Sequence, residues 1–159
     1  MNQKVFTVDE IKKKMEYYCS YQDRCHQEVE KKLSTFRLIP EAKELILIHL
    51  IQHDFLNEQR FAQNFARGKF RIKKWGRKKI VHALRLLDIT DYTINYALEQ
   101  LNEQEYLLTL HALALKKLNN LKEKEVYLKY QKVYQYLYRQ GFEPDRIQEV
   151  IKKIKKEPN

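Results

Sequence analysis

The chain of 159 residues is long enough for one ordinary domain or for several small modules that stack on one another. It is 43% hydrophobic and 12% aromatic, which excludes wholesale disorder, and its three Gly, three Pro and two Cys exclude a turn-rich all-β fold and a disulfide scaffold. Lys and Arg number 31 against 21 Asp and Glu, so the formal net charge is +10, and the composition predicts a basic, helical, soluble protein.

Three helices are predicted in the first third of the chain, where apolar residues recur at helical spacing. Thr7 and Glu10 predict a capping box at the start of the first helix, because the Thr hydroxyl can accept the Glu amide while the Glu side chain reaches back. Pro40 suits the first position of the third helix. In that helix we expect Leu45 and Ile48 to face inward.

The remaining two thirds of the chain repeat this pattern of helix starts and stops. Asn57 and Thr90 are good N-caps for the helices that follow them, and Gly76 precedes another helix. Gly141 predicts a helix end, and Pro144 predicts the start of the last helix.

The helix signals recur with a period of about 50 residues. We therefore predict an all-α fold of three tandem three-helix repeats, at residues 1–54, 55–102 and 103–159. Because a single unit is marginal alone, the repeats are expected to stack around a continuous core into an elongated, curved body. The alternative explanation of this period is the self-similarity that any all-helical protein shows.

The excess positive charge is concentrated in residues 67–79, which read RGKFRIKKWGRKK. This basic segment holds eight basic residues and no acid, whereas residues 1–66 hold ten basic and ten acidic residues. Eight like charges repel one another unless an anionic partner neutralises them. We therefore assign partner or DNA binding to the cations and the Trp of the segment, namely Arg67, Lys69, Arg71, Lys73, Lys74, Trp75, Arg77, Lys78 and Lys79.

Two interpretations of the basic segment remain open. Its Arg and Lys side chains can bind phosphate or carboxylate groups, with Phe70 and Trp75 offering flat faces. Alternatively, the segment is a solvated helix face whose two aromatic rings lie in the core. A weaker basic group at the C-terminus is predicted to be a frayed, solvated tail: Lys152, Lys153, Lys155 and Lys156.

Catalytic and metal-binding patterns do not stand out in the sequence. Cys19 and Cys25 stand six residues apart, which does not match the short loops of structural zinc sites. His26, His49 and His53 are therefore expected to be ordinary core or surface residues. With no phosphate loop, nucleophile motif or carboxylate pair, we predict no enzyme, no metal site and no cofactor.

The sequence also shows no pattern typical of a targeting signal or of a membrane span. No apolar run approaches the roughly 20 residues that a membrane span requires, and the first residues, MNQKVFTVDE, show no apolar signal region. We therefore expect a cytoplasmic protein with no membrane partner.

Several short motifs, taken in order, resemble the bacterial RecX family. NEQRFA at 57–62, FAR at 65–67 and W-G-x-x-K-I at 75–80 are similar to the central motif region of that family. R-C-x-x-E-V-x-x-K-L at 24–33 and Y-R-x-G-F at 138–142 are similar to its first and third repeats. The chain departs from the family at Cys25, where Ser is usual, at Asn57, where Asp is usual, and at 36–38, where the family has a Gly.

The resemblance implies a regulator of the RecA recombinase, with a role in recombination, DNA repair and the SOS response. RecX proteins consist of three tandem three-helix repeats, lie in the groove of the RecA–DNA filament, and inhibit its ATP hydrolysis and strand exchange. By position, the basic segment would face that groove and meet either DNA phosphates, single- or double-stranded, or acidic RecA side chains. We expect a monomer without a cofactor; the alternative is a stand-alone, non-sequence-specific DNA- or RNA-binding protein.

Overall fold

The computed structural model describes residues 5–157, and this range contains helices and no strand. In chain order the helices are α1 Val8–Tyr21, α2 His26–Leu33, α3 Pro40–Gln52, α4 Glu58–Arg71, α5 Arg77–Leu86, α6 Asp91–Glu99, α7 Glu103–Asn120, α8 Val126–Arg139 and α9 Pro144–Lys156. They pack in successive sets of three, α1 to α3, α4 to α6 and α7 to α9. The predicted all-α fold of tandem three-helix repeats is therefore confirmed.

Short polar side chains fix where several helices begin. The side-chain oxygens of Thr7, Asn57 and Thr90 each accept the amide three residues later, at 3.1, 2.9 and 3.3 Å. Pro40 and Pro144 open α3 and α9, where a missing N–H and a fixed φ suit the first turn. The sequence predicts these helix starts because each capping residue contacts only the first turn of its own helix.

The repeats form an extended body. The accessible surface is 11010 Å², whereas a compact monomer of 19.4 kDa exposes about 8,500 Å². A string of small units exposes more surface than a sphere of equal mass because each unit contacts only its neighbours.

The buried side chains form two cores instead of the continuous core that we predicted. The second and third repeats share one core, in which the Tyr106 ring lies between Phe70 and Phe142, with ring centroids 5.5 and 5.3 Å away. The first repeat has a separate core, made of Ile11, Met15, Cys19, Val29, Leu33, Ile46 and Leu50, together with Leu56 from the start of the second repeat. Among the described residues of the first repeat, Cys25 is the one that is buried in the core of the second and third repeats.

The junction between the first and second repeats is mainly polar, which explains why the core is interrupted there. Arg60 pairs with Asp23 at 2.9 Å and with Asp54 at 3.0 Å, and Asn64 donates to Asp23 at 2.6 Å. The backbone amide of His26 donates to the Glu58 carboxylate at 3.1 Å. Hydrogen bonds and ion pairs connect these two repeats, and the buried Cys25 and Leu56 add apolar contacts across the junction.

The predicted orientation of α3 is wrong. Leu45 is 66% exposed and Ile48 is 40% exposed, whereas Ile46 and Leu50 are fully buried. Residues 45–51 read LILIHLI, so apolar side chains occupy almost every direction around the helix. Under these conditions periodicity does not identify the buried face.

The C-terminal basic group also differs from its prediction. Its four lysines lie on α9, so the group is a solvated helix face and not a frayed tail. The same helix buries Ile151 and Ile154 in the shared core, and this burial holds the last turns in place.

Neither Cys residue has the surroundings of a metal ligand. Cys19 and Cys25 are both buried, and burial raises the pKa of each thiol to about 11. Among residues 5–157 no group of three His, Cys, Asp or Glu side chains could hold a metal ion. Within the same range no helix is long and apolar enough to cross a bilayer.

Candidate partner-binding surface

The basic segment bends between two helices of the second repeat. Residues 67–71 form the last turn of α4, residues 72–76 form a tight connection, and Arg77 begins α5. Within the connection Lys74 has a φ of 59°, in the left-handed region that L residues seldom adopt. The amides of Lys74 and Trp75 donate to carbonyls of the last α4 turn at 3.1 Å each. The bend brings cations of two helices close together, since Lys69 of α4 and Lys79 of α5 both lie near the Trp75 ring.

The third repeat holds this bend in place through backbone hydrogen bonds. The Gly76 amide donates to the Gln140 carbonyl at 2.7 Å, and the Lys78 amide donates to the Gly141 carbonyl at 2.9 Å. The Gln140 side-chain amide in turn donates to the carbonyls of Lys73 and Lys74, at 3.4 and 3.2 Å. The position of the basic segment therefore depends on two repeats and not on the second alone.

Arg77 is committed to an ion-pair network between the second and third repeats. Its guanidinium pairs with Glu143 at 2.9 Å and also with Glu103, and the side chain is 19% exposed. It lies 3.8 Å from the centre of the Tyr106 ring, while its own amide donates to the Tyr106 hydroxyl at 3.0 Å. Arg146 pairs with Glu103 as well. Of the predicted binding residues, Arg77 thus has the clearest structural role.

The pKa values within this network follow from its contacts. Burial alone would lower the pKa of Arg77, but the hydrogen bonds that it donates to Glu103 and Glu143 outweigh burial and raise that pKa. The Arg77 hydrogen bond lowers the pKa of Glu103. Burial raises the pKa of Tyr106, as does its hydrogen bond to Glu143. The Arg77 and Glu103 pair is therefore held in its charged form.

Most of the other predicted cations are not neutralised by the protein. Arg71 pairs with Glu105 at 3.2 Å, and both side chains are partly exposed to solvent. No carboxylate of residues 5–157 forms an ion pair with the six that remain, which are Arg67, Lys69, Lys73, Lys74, Lys78 and Lys79. Uncompensated cations grouped at one bend can bind phosphate or carboxylate groups.

The two aromatic side chains of the basic segment have different surroundings. Phe70 is 1% exposed and belongs to the core, as the second interpretation predicted for it. Trp75 is half-buried against the shared core, and the ammonium groups of Lys69 and Lys79 lie 5.0 and 4.7 Å from its ring. Lys78 lies 5.2 Å from the Tyr138 ring. These contacts order the lysine side chains without neutralising their charge.

Glu103, Glu143 and Gln140 were not identified from the sequence, although they hold the basic segment. Glu103 and Glu143 lie 26 and 66 residues from Arg77, and Gln140 lies 66 residues from Lys74. No spacing rule connects residues that far apart. Their role becomes visible only when the third repeat is folded against the second.

The fold places the chain among the proteins built of tandem three-helix repeats. Family models show which of these proteins it is related to. The model for the second three-helix domain of RecX matches residues 57–98, and the model for the third three-helix domain matches residues 103–151. The chain belongs to the RecX family of regulatory proteins.

Individual relatives agree with this assignment. The chain is 31% identical over 140 residues to the regulatory protein RecX of Clostridium acetobutylicum, with 86% of this chain and 64% of that protein aligned. It is 27% identical over 137 residues to the regulatory protein RecX of Prosthecochloris aestuarii, with 86% and 88% aligned. The chain therefore spans less than two thirds of the length of the clostridial relative.

A crystal structure supports the same fold. RecX from Lactobacillus salivarius superposes with a TM-score of 0.86 at 26% identity, and the match covers 93% of this chain and 96% of that one. Two sequences with 26% identity can share the same backbone fold when the positions of the buried residues and of the helix ends are preserved.

Proposed function

We propose that this protein binds the RecA recombinase filament in the cytoplasm and inhibits its ATP hydrolysis and strand exchange, thereby regulating recombination and DNA repair. Membership of the RecX family, together with the resemblance of its motifs to regulators of RecA, supports this activity. The observation that carries the proposal is the group of six cations in the basic segment that no described carboxylate neutralises. A filament of protein and DNA supplies both phosphate and carboxylate groups to such a surface.

The proposed contact uses the lysines of the bend. Lys73 and Lys74 are exposed, and their carbonyls are held by the third repeat, so their side chains leave the protein from a fixed backbone. A fixed backbone reduces the entropy lost on binding. Arg77 contributes indirectly, because it connects the two repeats that set the position of the bend.

A titration of RecA ATPase on single-stranded DNA tests the proposal. The wild-type protein is compared with Lys73→Glu/Lys74→Glu and with the matched control Lys152→Glu/Lys153→Glu, which makes the same charge change on the exposed face of α9. We expect inhibition by the wild type and by the control, and loss of inhibition in the first variant. If the wild type left ATPase and strand exchange unchanged at equimolar concentration, the proposal would be abandoned.

Binding to naked DNA, measured alongside, separates this function from the stand-alone nucleic-acid-binding alternative. That alternative predicts tight binding without RecA, with an affinity that falls steeply as salt rises. It also predicts that the Lys73→Glu/Lys74→Glu variant loses naked-DNA binding and inhibition together. Loss of inhibition with unchanged naked-DNA binding supports the filament proposal and contradicts the alternative.

A further inference from the structure

A second cation-rich surface lies in the first repeat, where the sequence showed no net charge. A groove with a cavity volume of about 870 Å³ runs along α1 and α2. Four basic residues line it, Lys13, Lys14, Arg24 and Lys32, and no acidic residue of the described chain does. The nine basic and nine acidic residues at 1–54 are therefore unevenly distributed over the surface of the first repeat.

Aromatic rings line the same groove. Tyr17 and Tyr21 succeed each other on one side of α1, with ring centroids 6.4 Å apart, and they are 71% and 73% exposed. Tyr18 and Phe36 complete the lining. Two large rings that expose most of their surface side by side contribute little to the fold, so their faces are available to a ligand.

Two cations of this groove lie against the same aromatic ring. The Arg24 guanidinium lies 3.7 Å from the centre of the Tyr18 ring, and its Nε donates to the Tyr18 carbonyl at 3.0 Å. The Lys32 ammonium lies 5.7 Å from the same ring. The Tyr18 ring and carbonyl therefore hold Arg24 in the lining of the groove, and its remaining guanidinium donors are left for an anion.

We propose that this first-repeat groove binds an unpaired polynucleotide strand, with bases stacked on Tyr17 and Tyr21 and phosphates paired with Lys13, Lys14, Arg24 and Lys32. Flat rings beside a row of cations match a strand that offers a base face and a phosphate at every nucleotide. This inference goes beyond the proposed function, because it concerns naked strands and a different repeat.

Other anionic partners fit the groove less well. A duplex presents phosphates but keeps its base faces stacked inside, so it cannot use the exposed rings. An acidic polypeptide would use the cations and leave Tyr17 and Tyr21 without partners. The aromatic half of the groove therefore favours unpaired bases over both.

Fluorescence anisotropy with labelled strands of about 15 nucleotides tests the proposal on the full chain. The probes are oligothymidylate, oligouridylate and a duplex of the same length, with polyglutamate as a competitor. The variants are Tyr17→Ala/Tyr21→Ala, Tyr17→Phe/Tyr21→Phe and the control Tyr92→Ala/Tyr127→Ala, whose tyrosines are 80% and 73% exposed in other repeats. Circular dichroism verifies that each variant is folded.

The Tyr17→Ala/Tyr21→Ala variant is expected to bind the single strands at least about tenfold more weakly than the wild type. The Tyr17→Phe/Tyr21→Phe variant and the control are expected to retain wild-type affinity. Binding of the duplex is expected to be the same for all variants. Tight binding of either single strand supports the proposal, and the tighter of the two identifies DNA or RNA. Wild-type affinity of the Tyr17→Ala/Tyr21→Ala variant for the single strands would overturn the proposal. So would failure of the wild type to bind either single strand, or full displacement of the bound strand by equimolar polyglutamate.

The basic segment is a second possible source of strand binding, and one further variant separates the two. The Tyr17→Ala/Tyr21→Ala change is repeated in a Lys73→Glu/Lys74→Glu background. We expect the tenfold loss to persist there, because the groove and the bend lie in different repeats. Disappearance of the loss in that background would assign strand binding to the basic segment and contradict the proposal.

Discussion

Gly76 and Gly141 approach each other so closely that neither has room for a side chain. A Cβ atom on Gly76 would lie well inside van der Waals contact with the Gly141 carbonyl, and one on Gly141 would meet the side chain and amide of Lys79. Gly141 also has a φ of +100°, which L side chains rarely adopt. The second and third repeats thus meet backbone to backbone at the start of α5.

Replacing Gly76 with Ala should destabilise the protein. The added methyl group must push the two backbones apart, and overpacking of this kind lowers the free energy of unfolding by about 1–3 kcal/mol. Gly68→Ala is the matched control, since the space around Gly68 is open and Ala in a helix interior should raise stability by about 0.5–1 kcal/mol. Urea denaturation measures both, and equal stability of the two variants would contradict the close approach.

The Arg77 and Glu103 pair should make stability depend on acid pH. Because the Arg77 hydrogen bond lowers the pKa of Glu103 from its ordinary value of 4.5, the pair stabilises the fold above that value, and this contribution is lost as pH falls through the lowered pKa. Glu103 is 46% exposed, so the contribution should stay within about 1 kcal/mol.

The variant Glu103→Gln tests this pH dependence. Its free energy of unfolding should change less between about pH 7 and about pH 4 than that of the wild type. Glu99→Gln is the control, because Glu99 is exposed and forms no ion pair with any described residue. If the free energy of unfolding had the same pH profile in the wild type and in Glu103→Gln, the ion pair would contribute nothing to the pH dependence of stability.

Cys25 should tolerate Ser better than Val. Its side chain accepts the amide of Glu28 at the start of α2, while the Glu28 carboxylate accepts the Cys25 amide at 3.1 Å. Ser keeps this reciprocal cap and Val removes its first half, so Cys25→Ser should be more stable than Cys25→Val by about 1 kcal/mol. Thermal or urea unfolding of both variants measures the difference, and a more stable Val variant would mean that packing in the shared core outweighs the cap.

Two neighbouring residues of α3 should respond very differently to truncation. Ile46 is fully buried and Leu45 is 66% exposed. Ile46→Ala should lower the free energy of unfolding by about 2–5 kcal/mol, and Leu45→Ala should change it by less than about 0.5 kcal/mol. Urea denaturation provides the comparison. A larger loss for Leu45→Ala would restore the orientation that the periodicity first suggested.

These residues show where sequence reasoning succeeds and where it fails. Thr7, Asn57 and Thr90 were identified because a cap depends on its own turn alone. The buried face of α3 was assigned wrongly because almost every position there is apolar. Periodicity carries information only when polar residues mark the opposite face.

The candidate site shows the same division. The basic segment was visible as a run of charge, but nothing near Arg77 indicates that its partners lie 26 and 66 residues away. The first-repeat groove was hidden by a balanced charge count. The i, i+4, i+8 spacing of Lys13, Tyr17 and Tyr21, which places them along one side of a helix, was the signal that could have indicated it.

The interrupted core has a mechanical consequence. Separating the second and third repeats would expose the packed rings of Phe70, Tyr106 and Phe142, whereas parting the first repeat from the second mainly exchanges ion pairs for water. The ion pairs of Arg60 are only partly buried, and pairs of this kind contribute little net free energy. We therefore expect the first repeat to detach from the second, as denaturant is raised, before the second and third repeats separate.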